Sequence, residues 1–209
     1  MSAMIHHDNL ALIRSIEKRG ILVTPRIIEA FLKVDRVNFM PEATREEAYG
    51  DYPLPIGKGQ TISQPSTVAF MLELLQAQEG DEVLDIGSGS GWTLALLAYL
   101  VGKKSRVIGL ERVDTLIEYA NEHLKQIKCS NAVVQKAGSE LGLPGKKFDA
   151  ILVSASAQNF PSSLLKQLKP NGRLVIPIRD SIFRYSKFDD DRCTEEEYPG
   201  FCFVPLIVA

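Results

Sequence analysis

Cysteine is scarce in this chain. Cys129, Cys193 and Cys202 are odd in number and far apart, which gives neither a C-x-x-C metal pattern nor a disulfide framework and fits a reducing cytoplasm. An excess of one charge is missing too. The 24 Lys and Arg stand against 26 Asp and Glu, a formal net charge of −2, so nothing points to nucleic acid as an obligate partner. No apolar run approaches the roughly 18 residues of a membrane span. The opening MSAMIHHDNL has no apolar stretch of the signal-peptide kind. His6 and His7 are read as part of an end segment rather than as ligands, and no Ser/His/Asp or metal-ligating constellation stands out. Repeats and low-complexity segments are absent. What remains is 45% hydrophobic residues in 209, enough for one domain with a real core, expected to be a monomer.

The most informative stretch that is present is Val83-Leu84-Asp85-Ile86-Gly87-Ser88-Gly89-Ser90-Gly91-Trp92. A short apolar strand enters a glycine-spaced turn, and an apolar helix from Thr93 to Val101 follows. Glycines let the backbone turn tightly and approach a ligand. The helix start offers free N–H groups. Glu111 ends the next strand-like run, where an acid can accept hydrogen bonds from two ribose hydroxyls. A dinucleotide fingerprint wants Gly or Ala where Trp92 stands. The spacing Gly87-x-Gly89-x-Gly91 with Asp85 before it instead suits S-adenosyl-L-methionine, whose ammonium and sulfonium an acid near the turn complements. Trp92 either walls that pocket or packs in the core.

Along the chain, helical spacing over Asp8 to Arg19 ends at Gly20, and Pro25 opens a second helix. Residues 38–67 carry Pro41, Pro53, Pro55 and Pro65 with Gly50, Gly57 and Gly59, and read as a long ordered loop of the functional kind. A helix over 66–77 leads on. From 82 the pattern alternates: strand 82–86, helix 92–101, strand 106–110, helix 114–127, strands 131–135 and 148–153, helix 161–168, strand 172–178. This predicts an α/β fold with a doubly wound, mostly parallel Rossmann-like sheet, its ligand at the carboxyl ends of the strands. Lys187 to Tyr198, with Asp189-Asp190-Asp191 and Glu195-Glu196-Glu197, reads as a solvated excursion, and Phe201 to Ile207 as a final strand. The chain divides into an N-terminal helical and loop unit, 1–78, packed on a cofactor-binding core, 79–209.

With these residues in view, the chain resembles the protein-L-isoaspartate O-methyltransferases along nearly its full length. The most specific piece is Ala48-Tyr49-Gly50-Asp51-Tyr52-Pro53-Leu54-Pro55-Ile56-Gly57-Lys58-Gly59-Gln60-Thr61-Ile62-Ser63-Gln64-Pro65, similar to the family's AY-D-PLPIG-GQTISQP signature. Val34 to Pro41, Gln167 to Pro177 and Phe203-Val204-Pro205-Leu206 resemble three further family segments in the same order. The resemblance implies methylation of the abnormal α-carboxylate of L-isoaspartyl residues in damaged proteins and peptides. The ester recloses to a succinimide, from which normal aspartate can form.

The resemblance also implies roles. Ser63 matches the active-site serine and orients the acceptor carboxylate. Thr61, Ile62 and Gln64 line the passage between acceptor and donor. Gly87, Ser88 and Gly89 contact the methionine part of the cofactor, Asp85 fixes the loop, Glu111 holds the ribose, and Val204 with Leu206 touches the substrate peptide or packs in the core. The chain departs from the family at Ala137-Gly138-Ser139, where Gly-Asp-Gly is usual, leaving the Ser139 hydroxyl as a stand-in. It departs again at Ile178-Arg179-Asp180. Two other readings stay open: a divergent S-adenosyl-L-methionine-dependent methyltransferase of another substrate, and a cofactor-binding module without turnover.

Overall fold

The computed structural model describes residues 7–189 and 192–207; His6, Asp190 and Asp191 lie outside them. Helices α1 (His7–Lys18) and α2 (Pro25–Lys33) open the chain. Pro25 begins α2 at a position where its missing N–H costs nothing. Two 3-10 turns, Arg36–Phe39 and Glu42–Glu47, lead to a hairpin of β1 (Leu54–Gly57) and β2 (Gln60–Ile62), and α3 (Pro65–Leu75) follows. The expected loop over 38–67 is therefore ordered as anticipated but contains strands. Lys58 (φ 53°) and Gly59 (φ 69°) both take the left-handed backbone that tight hairpin turns require.

The core alternates as the sequence predicts: β3 (Val83–Ile86), α4 (Trp92–Val101), β4 (Val107–Glu111), α5 (Asp114–Gln126), β5 (Ala132–Lys136), β6 (Phe148–Val153), α6 (Ser162–Leu165), β7 (Leu168–Ile178). β8 (Ser181–Lys187) and β9 (Cys193–Pro199) complete a seven-stranded sheet in the order β5-β4-β3-β6-β7-β8-β9. Pairings from β5 through β7 are parallel, and β7-β8-β9 are antiparallel.

The central parallel strands β3, β4 and β6 are buried on both faces, as a parallel sheet requires. One face, with Val83, Val107, Ala150, Leu152 and Val175, packs under residues of α1 to α5. The other, with Leu84, Ile86, Ile108, Ile151, Val153, Leu174 and Ile176, is covered by Leu164 of α6 and by the segment carrying Leu141 and Leu143. α4 is apolar nearly all round because it is buried nearly all round. No helix among the described residues is long and apolar enough to cross a membrane.

Three expectations are corrected. The stretch 187–198 is no excursion. Its second half is in β9, whose acids are used by the neighbouring strand: Arg184 pairs with Glu196 at 3.3 Å, and Ser181 donates to Glu197 at 2.8 Å. The segment 201–207 forms no regular strand. It is an extended strap held by Ser156 N–H to the Val204 carbonyl and Leu206 N–H to the Ser156 carbonyl, both at 2.8 Å. Pro205, with no N–H, stands at its one bridge position. Helix 161–168 shortens to Ser162–Leu165 because β7 already begins at Leu168.

Candidate active site

β3 lies at the point where strand order reverses: β4 and β5 lie on one side, β6 and β7 on the other. The glycine turn leaves the carboxyl end of β3 there. Gly87 (φ 85°), Gly89 (φ 52°) and Gly91 (φ 88°) all hold the backbone in the left-handed region. The N–H groups of Gly87 and Ser88 both donate to the Leu110 carbonyl, which ties the turn to the end of β4.

Glu111 continues that tie. It is 6% exposed. Its Oε2 accepts from Gly89 N–H at 3.0 Å, and its Oε1 accepts from Arg112 and Val113 N–H at 2.7 and 2.9 Å. The carboxylate is thus a structural brace of the glycine turn as well as a lining group of the cleft.

Above this turn opens a cleft. It is lined by Ile62 and Ser63 from the hairpin side, by Gly87, Ser88 and Gly89, by Trp92, by Glu111 and Ala137, by Ser154 beyond β6, and by Val204 to Ile207 of the strap. A second cavity adjoins it, lined by Pro53, Gln64, Thr67, Cys202 and Phe203. Thr61, Ser63, Ser154 and Val204 line both. Gly87, Ser88, Gly89 and Glu111 thus face one chamber, Gln64 faces the other, and Ser63 stands at the junction.

Two sequence-predicted residues sit elsewhere than expected. Asp85 is fully buried beneath the turn and does not line the cleft. Its Oδ1 accepts from Ser154 Oγ at 3.3 Å, and among the described residues Oδ2 has no hydrogen-bond partner. Burial pushes this carboxyl up to about 7, with nearby Glu111 adding to the rise and hydrogen bonds from Ser88 and Ser154 opposing it. Ser139 is exposed, two residues beyond cleft-lining Ala137, and does not line the cleft itself.

Sequence reasoning assigned no role to Arg36, which the structure places at the centre of the loop over residues 48–63. The residue is 1% exposed. Nη1 donates to the carbonyls of Ala48 (2.9 Å) and Gly50 (3.1 Å); Nη2 donates to those of Tyr52 (3.0 Å), Ser63 (3.0 Å) and, more weakly, Ile62 (3.4 Å). Burial draws the guanidinium down to about 10, with the Asp51 charge opposing that fall, so it stays charged at neutral pH. Trp92, left open between pocket wall and core, is both. It is 3% exposed, donates from Nε1 to the Val34 carbonyl at 3.1 Å, and still lines the cleft.

The hairpin is pressed onto the glycine turn: a β-carbon at Gly89 would come within 3.3 Å of Ile56 Cδ1. At its far end Asp51 Oδ1 accepts from Ser66 N–H at 2.9 Å, capping the start of α3 just after Ser63.

The cleft suits S-adenosyl-L-methionine in its donor set. A turn of three glycines at positive φ leaves backbone open to a ligand, and Glu111 is an acid at the end of the adjacent strand. Comparison with known proteins agrees. A structure from Plasmodium falciparum, described as a protein-L-isoaspartate O-methyltransferase in complex with S-adenosyl-L-homocysteine, is 29% identical with a TM-score of 0.86, over 98% of this chain and 100% of that one. Relatives named protein-L-isoaspartate O-methyltransferase include one from Methanopyrus kandleri, 41% identical over 94% of this chain and 89% of the relative. Another, from Trichlorobacter lovleyi, is 45% identical over 90% of this chain and 88% of the relative. Residues 7–209 match the sequence profile of the protein-L-isoaspartate(D-aspartate) O-methyltransferase family, and the chain belongs to that family.

Proposed function

We propose that Ser63 orients the acceptor in the reaction this chain catalyses, methyl transfer from S-adenosyl-L-methionine to the free carboxylate of L-isoaspartyl residues. The observation that carries the assignment is its position, lining both the donor cleft and the adjoining cavity. An acceptor carboxyl, with an ordinary pKa near ~4, is already ionised at neutral pH, so it needs no general base. The cofactor, when bound, supplies an electrophilic methyl group on its own leaving group. The protein's task is then alignment, which is worth roughly 7–11 kcal/mol when reactants are held in line.

In this reading Gly87 and Gly89 present backbone to the methionine part of the donor, and Glu111 takes the ribose. Ile62 and Thr61 flank the passage, and Gln64 with Val204 lines the peptide side. The residues up to 78 carry the loop with Thr61 to Gln64, packed on the cofactor-binding core of 79–209, and both units line both chambers. Three unpaired thiols support a reducing, cytoplasmic setting. The near-zero net charge favours isoaspartyl proteins and peptides over nucleic acid as partners, and a monomer suffices because both chambers are built from one chain.

Ser63→Ala tests the assignment. Turnover on an isoaspartyl peptide should fall by about 10²-fold through lost alignment, while calorimetric affinity for S-adenosyl-L-homocysteine stays near wild type. Raising the pH should not rescue it, since the acceptor is already ionised. Full turnover, or rescue at high pH, would overturn the role.

A further inference from the structure

One guanidinium touches both halves of the site. Arg36 accepts no solvent contact of consequence, donates to the backbone carbonyl of Ser63 on the acceptor side, and stacks its Cζ 5.6 Å from the ring centre of Trp92 on the donor side. Trp92 is itself fixed by its bond to Val34, two residues before Arg36, and by the edge of Phe31 at 5.6 Å. The other carbonyls on Arg36 belong to Ala48, Gly50, Tyr52 and Ile62, which span the loop between the second 3-10 turn and the end of β2. A planar fork with several donors can gather carbonyls from both ends of a loop; a lysine ammonium presents one point with three. Burying a cation whose hydrogen bonds all go to backbone oxygens carries a desolvation cost that a merely structural loop can avoid with apolar packing.

We propose that Arg36 is a positioning residue for methyl transfer: it holds the backbone of Ser63 in register with the Trp92 wall of the donor cleft. The proposal rests on the role given to Ser63, and the two can fail separately. Loss of turnover in an Arg36 variant but not in Ser63→Ala would leave the loop's register essential and the hydroxyl dispensable.

The test is Arg36→Lys, which keeps the charge and loses the fork. Turnover on a saturating isoaspartyl peptide should fall on the order of 10²-fold. The affinity for S-adenosyl-L-homocysteine should stay within about threefold of wild type, because the glycine turn and Glu111 are untouched. Trp92 is the chain's single tryptophan, so its emission reports the stacked cation directly and should shift in the variant. Unchanged kcat overturns the proposal. So does a fall in kcat matched by an equal fall in cofactor affinity, which would mean general loosening of the fold.

Hydrogen exchange on the wild-type protein decides the matter if the variant does not fold. Peptides covering 48–63 should be protected and open together with those covering 34–40. Exchange of 48–63 at unfolded-chain rates while 34–40 stays protected would overturn the clamp.

Discussion

Removing the Glu111 carboxylate should cost the protein twice, once in the empty fold and once in the ligand. The carboxylate accepts three backbone N–H groups, from Gly89, Arg112 and Val113, and is nearly buried. Hydrogen bonds to a charged group contribute about 1.5–3 kcal/mol each. Because Glu111 borders the cleft, water can reach part of the space it leaves, so the three bonds will not be lost at full value. Glu111→Ala should destabilise the ligand-free protein by about 2–4 kcal/mol. Glu111→Gln retains one acceptor oxygen. That oxygen serves Arg112 and Val113, and the amide group then faces Gly89 N–H, donor against donor. The Gln variant should therefore lose about 1.5–3 kcal/mol. Urea unfolding of the apo proteins measures both. Cofactor affinity should drop separately: two hydrogen bonds from ribose hydroxyls to a charged acceptor correspond to a loss of roughly 10²- to 10⁴-fold, read by calorimetry under conditions where each variant is folded. An apo stability of Glu111→Ala within about 0.5 kcal/mol of wild type, the range of an inconsequential surface change, would refute the brace. Unchanged affinity would remove Glu111 from the ribose site.

Gly138→Asp, which restores the acid usual in the family after β5, should tighten binding of S-adenosyl-L-homocysteine in calorimetry. Nothing lies within 4 Å of a β-carbon at Gly138, so the change meets no steric obstacle; equal or weaker binding would show that the site already has a group in that role. Asp85 gives a pH signature. The unfolded chain releases this proton near 3.8 and the folded protein near 7, so the folded state binds the extra proton in between and loses stability as pH rises through that window. Asp85→Asn should therefore gain in Tm over wild type between pH 5 and pH 8 in melts of the ligand-free protein, and a pH-independent difference would contradict the assignment.

The donor half of the site was legible because its signals are local. A strand of apolar residues, glycines at alternate positions and an acid ending the next strand lie within 30 residues and need no tertiary knowledge. The parallel core followed from the same apolar runs, each buried on both faces. The antiparallel edge was not legible, because Glu195, Glu196 and Glu197 are three consecutive charges and a strand with both faces wet has no alternation to show. Its identity as a strand comes from pairing with β8 through Arg184 and Ser181. The strap 201–207 misled in the opposite sense: its apolar residues look like a strand but serve to roof the cleft, with Phe201 stacked on Phe70 of α3 at 5.2 Å. Arg36 was invisible for a different reason. Its partners are main-chain carbonyls 12 to 27 residues away, and a carbonyl leaves no mark in a sequence.

The central claim is that this site methylates the isoaspartyl carboxylate. Its most direct test is transfer of a radiolabelled methyl group from S-adenosyl-L-methionine, by the wild-type protein, to paired peptides that differ only in carrying L-isoaspartate or normal aspartate at one position. Base-labile label in the isoaspartyl peptide, and none above background in its partner, is the predicted result. Equal labelling of both peptides, or of neither while the cofactor still binds, would contradict it.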